Sequence, residues 1–140
     1  MSPLRIVFLD RETLPPEVRF GTFGFAADLV AFPRTAPAEV AERIAAADIV
    51  ITNKVPIGAA DIATASRLRL IAVAATGTNM LDLAAARSRG ILVSNVRNYS
   101  AHSVPEHTFA LMLALRRNIL AYRASVAAGR WQAARQFCFF

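Results

Sequence analysis

Three short polar segments follow apolar stretches of strand length, and their residue types suit the binding of a small anion. The first, Asn53-Lys54-Val55-Pro56, contains the only lysine of the chain. The second, Thr76-Gly77-Thr78-Asn79, contains a glycine that lets backbone approach a ligand closely, so that its amides can hold a carboxylate. The third, Arg97-Asn98-Tyr99-Ser100, leads into a predicted helix whose amino end favours anions. A solvated loop lysine and a plain strand-to-helix turn explain the first two segments equally well.

Other chemical signals are weaker. The segment Ser103-Val104-Pro105-Glu106 has the pattern of a capping box, which accounts for Glu106 without a catalytic role. His102 lies four residues before Glu106 and could pair with it on one helix face. We interpret His102 and His107 as structural or surface residues. The glycines never take the G-x-G-x-x-G spacing, and the sequence contains neither a P-loop nor a metal-ligand cluster.

The polar segments need elements that bring them together, and the apolar pattern predicts those elements. We expect strands over residues 4–10, 28–32, 48–53, 68–75 and 91–96. Helices are expected over residues 38–47, 58–65 and 81–89, with Gly90 as a C-cap. This alternation predicts an α/β fold, a flavodoxin-like, doubly wound, parallel five-stranded sheet. Ligands of such sheets bind beyond the carboxyl ends of the strands, where the polar segments fall.

The pattern changes after residue 101. A long helix begins at Ser103 and is apolar nearly all round, which predicts that it is buried within the chain or against a partner. A shorter helix is expected from about Ile119 to Ala128, ending at Gly129. We therefore divide the chain into a flavodoxin-like domain, residues 1–101, and interdomain or dimerisation helices, residues 102–140.

Composition limits the possible partners and location. The net charge of +6 comes from scattered arginines and not from a dense basic stripe with aromatics, so we expect no nucleic-acid partner. Apolar stretches stay short of the roughly 18–20 residues of a membrane span, and we expect no membrane partner. The first residues lack the features of a signal peptide, and the single cysteine, Cys138, excludes an internal disulfide. We expect a cytoplasmic location.

Three blocks of sequence resemble a known family. They are residues 73–82 (VAATGTNMLD), residues 90–96 (GILVSNV) and residues 103–115 (SVPEHTFALMLAL), which occur in the order expected for the NAD-dependent D-isomer-specific 2-hydroxyacid dehydrogenases. The likeness is greatest to the glycerate dehydrogenase and hydroxypyruvate reductase branch, and it covers nearly the whole chain. Asn53-Lys54-Val55 and Gly129-Arg130-Trp131 fit the same pattern.

The resemblance implies hydride transfer between NAD or NADP and a small 2-hydroxy or 2-oxo acid, such as glycerate or hydroxypyruvate. It implies that Lys54 and the backbone of Thr76, Gly77 and Thr78 face the substrate carboxylate. Val104 would lie near the cofactor, and the helix at residues 103–118 would form a homodimer.

The family's catalytic arginine, carboxylate and histidine belong to a Rossmann NAD domain that would follow Phe140. We therefore expect no catalytic residue here, and a substrate-domain portion that is inactive by itself. Without further cover, the apolar helix and the terminal phenylalanines would promote dimers or aggregates.

Two alternatives stay open at the level of sequence. One is a self-standing flavodoxin-like binding module or a receiver-type signalling module, for which Asp10 and Glu12 follow the first strand and Thr76 follows the fourth. Asn53, however, stands where a receiver needs its phosphoacceptor aspartate. The other is a dimerisation module that uses the helix containing residues 109–115.

Overall fold

The computed structural model describes residues 2–136. The chain divides into two compact units, one that ends at Arg97 and one that begins at Asn98. Each unit is described by itself below.

The first unit is built on one parallel sheet. Its strands run in the order β2-β1-β3-β4-β5, the arrangement of flavodoxin-like sheets. All four pairings of neighbouring strands are parallel. This confirms the predicted α/β fold with a five-stranded parallel sheet. The strands are β1 Leu4–Phe8, β2 Ala27–Ala31, β3 Ile49–Thr52, β4 Leu70–Val73 and β5 Leu92–Asn95.

Short helices cover one face of this sheet. They are α1 Val40–Ile44, which follows a 3₁₀ turn, α2 Ala59–Thr64 and α3 Leu83–Ser88. Val7, Val50, Ile71 and Val93 pair in register across four strands, so they project from the same face. They share one apolar cluster with buried residues of the three helices: Val40, Ile44, Ile62 and Ala86. This cluster is the core that fixes the strand ends in place.

A long loop contacts the opposite face. Phe8 is fully buried, and the ring of Phe20 meets it edge-on with centroids 5.7 Å apart. The Arg11 guanidinium holds the loop by donating hydrogen bonds to the carbonyl oxygens of Leu14, Pro15 and Val18. Leu92 lies on β5, an edge strand of the sheet, and is 71% exposed.

Most elements of the sheet unit are shorter than their apolar patterns predict, whereas β2 keeps its expected length. The fourth strand was expected over residues 68–75, yet only Leu70–Val73 is strand. Single hydrogen bonds continue past it, from the Ala74 amide to the Thr52 carbonyl and from the Val96 amide to the Ala75 carbonyl. The apolar sequence pattern therefore marks the buried residues, and burial extends beyond the residues that form the strand ladder. Gly90 has a φ of +68°, as expected of a C-cap in the left-handed region.

The second unit consists of three helices, α4 Ser103–Arg116, α5 Ile119–Ala127 and α6 Arg130–Ala133. Positive φ angles at Asn118 (52°) and Gly129 (70°) separate them. None of the residues of α4 is buried, so the cover expected for this helix does not come from the described chain. Cys138 and the phenylalanines at 137, 139 and 140 lie outside the described residues.

The predicted capping box at the start of α4 is wrong. The N-cap is His102, and no side chain caps the helix. The Val104 amide already donates to the Ser100 carbonyl, so helical hydrogen bonding begins before Ser103. A serine whose own backbone is helical cannot bond the amide three residues on in the manner of a cap.

Within residues 2–136, no helix has both the length and the apolar character needed to span a bilayer.

Candidate functional site

The carboxyl ends of β3, β4 and β5 lie side by side. Thr52 pairs with Val73, and Val73 pairs with Asn95, so the three strands end at the same level. The loops that follow β3 and β4 therefore leave the sheet as neighbours. They contain the first two polar segments singled out from the sequence, with Lys54 in one and Gly77 in the other.

The backbone of the loop after β3, residues 53–55, is fixed by hydrogen bonds to a buried carboxylate. Asp10 follows β1 and is only 4% exposed. Its oxygens accept the amides of Asn53 (2.9 and 3.1 Å), Lys54 (2.6 Å) and Val55 (3.3 Å). The Thr52 hydroxyl closes the turn by donating to the Val55 carbonyl at 3.0 Å. The Lys54 residue is exposed while its backbone is fixed.

The loop after β4, residues 76–79, differs from the 53–55 loop, because its backbone amides donate no hydrogen bond within the described residues of the first unit. No acceptor among the described residues of this unit takes the amide of Thr76, Gly77, Thr78 or Asn79. Thr76, Gly77 and Asn79 are exposed, and Thr78 is half-buried. A row of accessible amide donors without a protein acceptor can hold an anion such as a carboxylate.

Side chains fix the start of this second loop. The Thr76 hydroxyl donates to the carbonyl oxygen of Val96 at 2.9 Å. Asn95 returns a bond, from its Nδ2 to the Thr76 carbonyl oxygen at 2.7 Å. The Thr76 side chain is therefore engaged with the end of β5. What this residue offers a ligand is its backbone amide and not its hydroxyl proton.

The two loops are joined to each other. Ile57 and Leu81 form an isolated parallel bridge. The Ile57 amide donates to the Met80 carbonyl at 3.0 Å, and the Ile57 carbonyl accepts the Asp82 amide at 3.1 Å. The Leu81 amide donates to the Thr78 carbonyl at 3.0 Å. Backbone hydrogen bonds therefore connect the segments that follow the two loops.

Gly77 provides space and does not relieve backbone strain. Its φ is not among the positive values, which among glycines occur at Gly90 and Gly129. A Cβ at this position would lie 3.1 Å from Oδ1 of Asn79, closer than ordinary van der Waals contact. A side chain here would therefore crowd the side chain of Asn79.

An open cavity of about 530 Å³ adjoins the 76–79 loop between α3 and β5. Thr78 and Asn95 line it together with Arg87, a cation that the sequence reasoning did not select. Only the structure shows that Arg87, on a helix surface, shares a cavity with the loop.

The other candidate residues lie at the unit boundary or beyond it. In the third polar segment, Arg97 ends the first unit and Asn98 has a φ of +61°. Val104 belongs to the second unit and is 59% exposed. His102 and Glu106 are exposed, and no ion pair joins their side chains within residues 2–136. Within the first unit, the structure places the first two segments at one edge of the sheet and connects them.

A second buried carboxylate lies at the opposite end of β3. Asp48 is 5% exposed and accepts the Arg5 amide at 2.9 Å and the Arg67 guanidinium at 2.9 Å. The hydrogen bond from the Arg5 amide, followed by the contribution of Arg67, lowers the pKa of Asp48 against the opposing effect of burial. This group stabilises the amino end of the sheet, away from the two loops.

The parallel sheet, with its strand order and the loops at its carboxyl edge, places the chain in the flavodoxin-like class of α/β proteins. A sequence profile of the D-isomer specific 2-hydroxyacid dehydrogenases, catalytic domain, matches residues 14–134. The chain belongs to this family.

Two relatives and one solved structure illustrate the match. Glycerate dehydrogenase of Methylorubrum extorquens is 47% identical over 137 residues, which are 97% of this chain and 43% of that protein. Hydroxypyruvate reductase of Blautia hydrogenotrophica is 30% identical, over 98% of this chain and 44% of that protein. An acyclic imino acid reductase solved with NADPH and D-Arg superposes with a TM-score of 0.72 and 26% identity, over 90% of this chain and 41% of that one. The chain thus spans less than half the length of the proteins it matches.

Proposed function

We propose that this chain binds the carboxylate of a small 2-hydroxy or 2-oxo acid for a nicotinamide-dependent hydride transfer. The observation that carries the proposal is the 76–79 loop, whose four successive amides have no acceptor among the described residues of their unit. The names of the relatives favour glycerate and hydroxypyruvate as the substrate pair. Family membership supports the same class of reaction.

The proposed roles follow from which polar groups of the two loops are left to bind a ligand. The amides of Thr76, Gly77 and Thr78 donate to the carboxylate oxygens, and the absence of a side chain at Gly77 leaves room for them. Lys54 contributes positive charge from the neighbouring loop, since its residue is exposed and its backbone is fixed. Together they orient the acid so that its carbon faces the hydride donor.

The cofactor is proposed to be NAD or NADP, with Val104 beside it. The residues of this chain do not fit the dinucleotide as a whole, because its glycines never form the G-x-G-x-x-G turn between a strand and a helix. Val104 offers only an exposed apolar side chain near the start of α4. We therefore propose that this chain grips the substrate and leaves hydride and proton transfer to other residues.

The receiver alternative is disfavoured by the position of Asp10. A receiver keeps acidic side chains available for a metal ion beside its phosphoacceptor. Here the Asp10 carboxylate is buried and accepts three backbone amides. Its oxygens are satisfied by protein, and no aspartate follows β3, where Asn53 stands.

We also propose that the second unit forms a homodimer through the helix at residues 103–118. Large apolar side chains of α4 are exposed within the described chain, among them Phe109 (62%) and Leu115 (75%). Leu120 of α5 is 72% exposed as well. Exposed apolar surface of this extent is typical of an interface. The cytoplasmic location expected from the sequence remains part of the proposal.

Calorimetry with two ketones of similar size tests the substrate proposal. Hydroxypyruvate carries a carboxylate, and dihydroxyacetone has a neutral hydroxymethyl group in its place. We expect weak binding of hydroxypyruvate, in the millimolar range, and none detectable of dihydroxyacetone, because amides bond a carboxylate more strongly than a neutral hydroxyl group. Equal binding of both ketones, or binding of neither, contradicts the proposal.

A further inference from the structure

We infer that Asp10 is a positioning residue for the substrate site. Its carboxylate fixes the 53–55 loop and, through the Ile57–Leu81 bridge, holds the 76–79 loop in the conformation that receives the substrate. The inference rests on the proposed function, because it concerns the same site.

The first step of the argument is the use of the amides in the 53–55 loop. Successive backbone amides that converge on one point form a nest that ordinarily binds an external anion. In this chain the nest is filled by Asp10, which is 4% exposed and receives all three amides. The amide of Lys54 is therefore closed to the substrate, and only its side chain can serve. This leaves carboxylate binding by backbone to the 76–79 loop.

The second step is the connection between the loops. Val55 is followed by Pro56, whose ring restricts φ, and then by Ile57. The Ile57 backbone bonds Met80 and Asp82, and the Leu81 amide bonds the Thr78 carbonyl. The Asp10 carboxylate is thus linked to the 76–79 loop by hydrogen bonds on both sides of the short covalent segment Val55-Pro56-Ile57. Loss of the carboxylate charge should loosen both loops.

Asp48 supplies the matched control. It too is a buried carboxylate of the same sheet that accepts a backbone amide, that of Arg5. Asp48 lies before β3 and Asp10 contacts the loop after it, so the two carboxylates serve opposite ends of one strand. Asn substitution at either position should destabilise the fold. Only substitution of Asp10 should alter the two loops.

The first measurement is amide hydrogen exchange of the unaltered chain, read by NMR. We expect the amides of residues 53–55 to exchange slowly and those of residues 76–79 to exchange at least about tenfold faster, since the latter have no acceptor. Added hydroxypyruvate should slow exchange in both loops. Fast exchange at residues 53–55 without ligand would overturn the inference, and this measurement holds even where a variant fails to fold.

The second measurement compares Asp10→Asn with Asp48→Asn. We expect Asp10→Asn to speed exchange about tenfold at residues 53–55 and to broaden or shift the amide signals of residues 76–79. It should weaken hydroxypyruvate binding about fivefold or more, whereas Asp48→Asn leaves binding unchanged. Equal effects of the two variants, or effects of Asp10→Asn confined to residues 53–55, would show a merely structural role.

The two proposals fail separately. Hydroxypyruvate that does not bind the unaltered chain contradicts the proposed function, and the exchange data then decide the coupling of the loops alone. Transmission from position 10 to residues 76–79 supports the positioning role in that case. Its absence refutes that role.

Discussion

Ile57 and Leu81 form a parallel bridge outside the five strands, and this bridge connects the two loops at the carboxyl edge of the sheet. One loop presents a lysine, and the other presents amides that have no acceptor among the described residues of the first unit. Because backbone hydrogen bonds join the two loops, the proposed site would be organised before a ligand arrives. A site of this kind loses little conformational entropy on binding.

Gly77 tests whether the backbone amides receive the ligand. We expect Gly77→Ala to change the free energy of unfolding by less than about 1 kcal/mol, since its φ is ordinary for an L residue. The added methyl group should weaken hydroxypyruvate binding about tenfold, because it crowds the Asn79 side chain and would stand beside the amides proposed to hold the carboxylate. Gly24→Ala, at a loop glycine with open space around it, is the control. Unchanged affinity in Gly77→Ala would place the ligand elsewhere.

Lys54 tests the contribution of charge. We expect Lys54→Met to keep its stability, because the bond to Asp10 comes from the backbone. Hydroxypyruvate binding should weaken about threefold, as exposed ion pairs contribute at most about 1 kcal/mol. Lys54→Arg keeps the charge and should bind nearly as the unaltered chain does. Calorimetry at low and high salt measures both, and a loss that persists at high salt would argue against a charge effect.

Asp48 predicts how stability depends on pH. Its pKa in the fold is lower than in the unfolded chain, first through the Arg5 amide and then through Arg67. The stabilisation is therefore complete above the unfolded pKa of about 3.9 and is lost as the pH falls through the folded value. We expect the free energy of unfolding of the unaltered chain to exceed that of Asp48→Asn by about 1 kcal/mol at pH 7. This difference in stability, the gap, should close below about pH 4.

Urea unfolding followed by circular dichroism at several pH values measures that gap. Asp28→Asn, at an exposed carboxylate of β2, is the control and should show little difference at any pH. A gap between the chain and Asp48→Asn that stays constant from pH 7 to about pH 3 would contradict the assignment of the stabilisation to ionised Asp48.

The exposed helices predict self-association. Leu115 is 75% exposed on α4, and Leu92 is 71% exposed on β5. We expect the chain to dimerise in sedimentation experiments, and Leu115→Glu to shift it towards monomer because a charge then enters an apolar interface. Leu92→Glu should leave the dimer intact. A monomer at all concentrations, or equal effects of the two variants, would contradict an interface on α4.

Much of the fold is readable from local pattern. The neighbouring strands β3 and β4 are almost entirely apolar because a parallel sheet is covered on its faces, and Val50 and Ile71 are accordingly buried. Gly90 marks the end of α3 because its φ of +68° favours glycine. These signals reside in neighbouring residues, so a single sequence contains them.

The site was only half predictable, for a physical reason. The polar loops follow apolar strands, and Lys54 and Gly77 could be selected on that ground. The role of Asp10 depends on β1 lying beside β3, with Phe8 opposite Ile51, and no local pattern encodes that pairing. The cap of α4 was mispredicted for a related reason, since helical hydrogen bonding from Ser100 overrode the capping pattern, although the helix begins at Ser103 as expected.

The most direct test of the central claim is a titration of the ¹⁵N-labelled chain with hydroxypyruvate, followed amide by amide. The account predicts saturable shifts at Thr76, Gly77, Thr78 and Asn79, with smaller shifts at residues 53–57 and none from dihydroxyacetone. Saturable shifts that leave these four amides unmoved, or no shifts at any concentration, would contradict carboxylate binding by this loop.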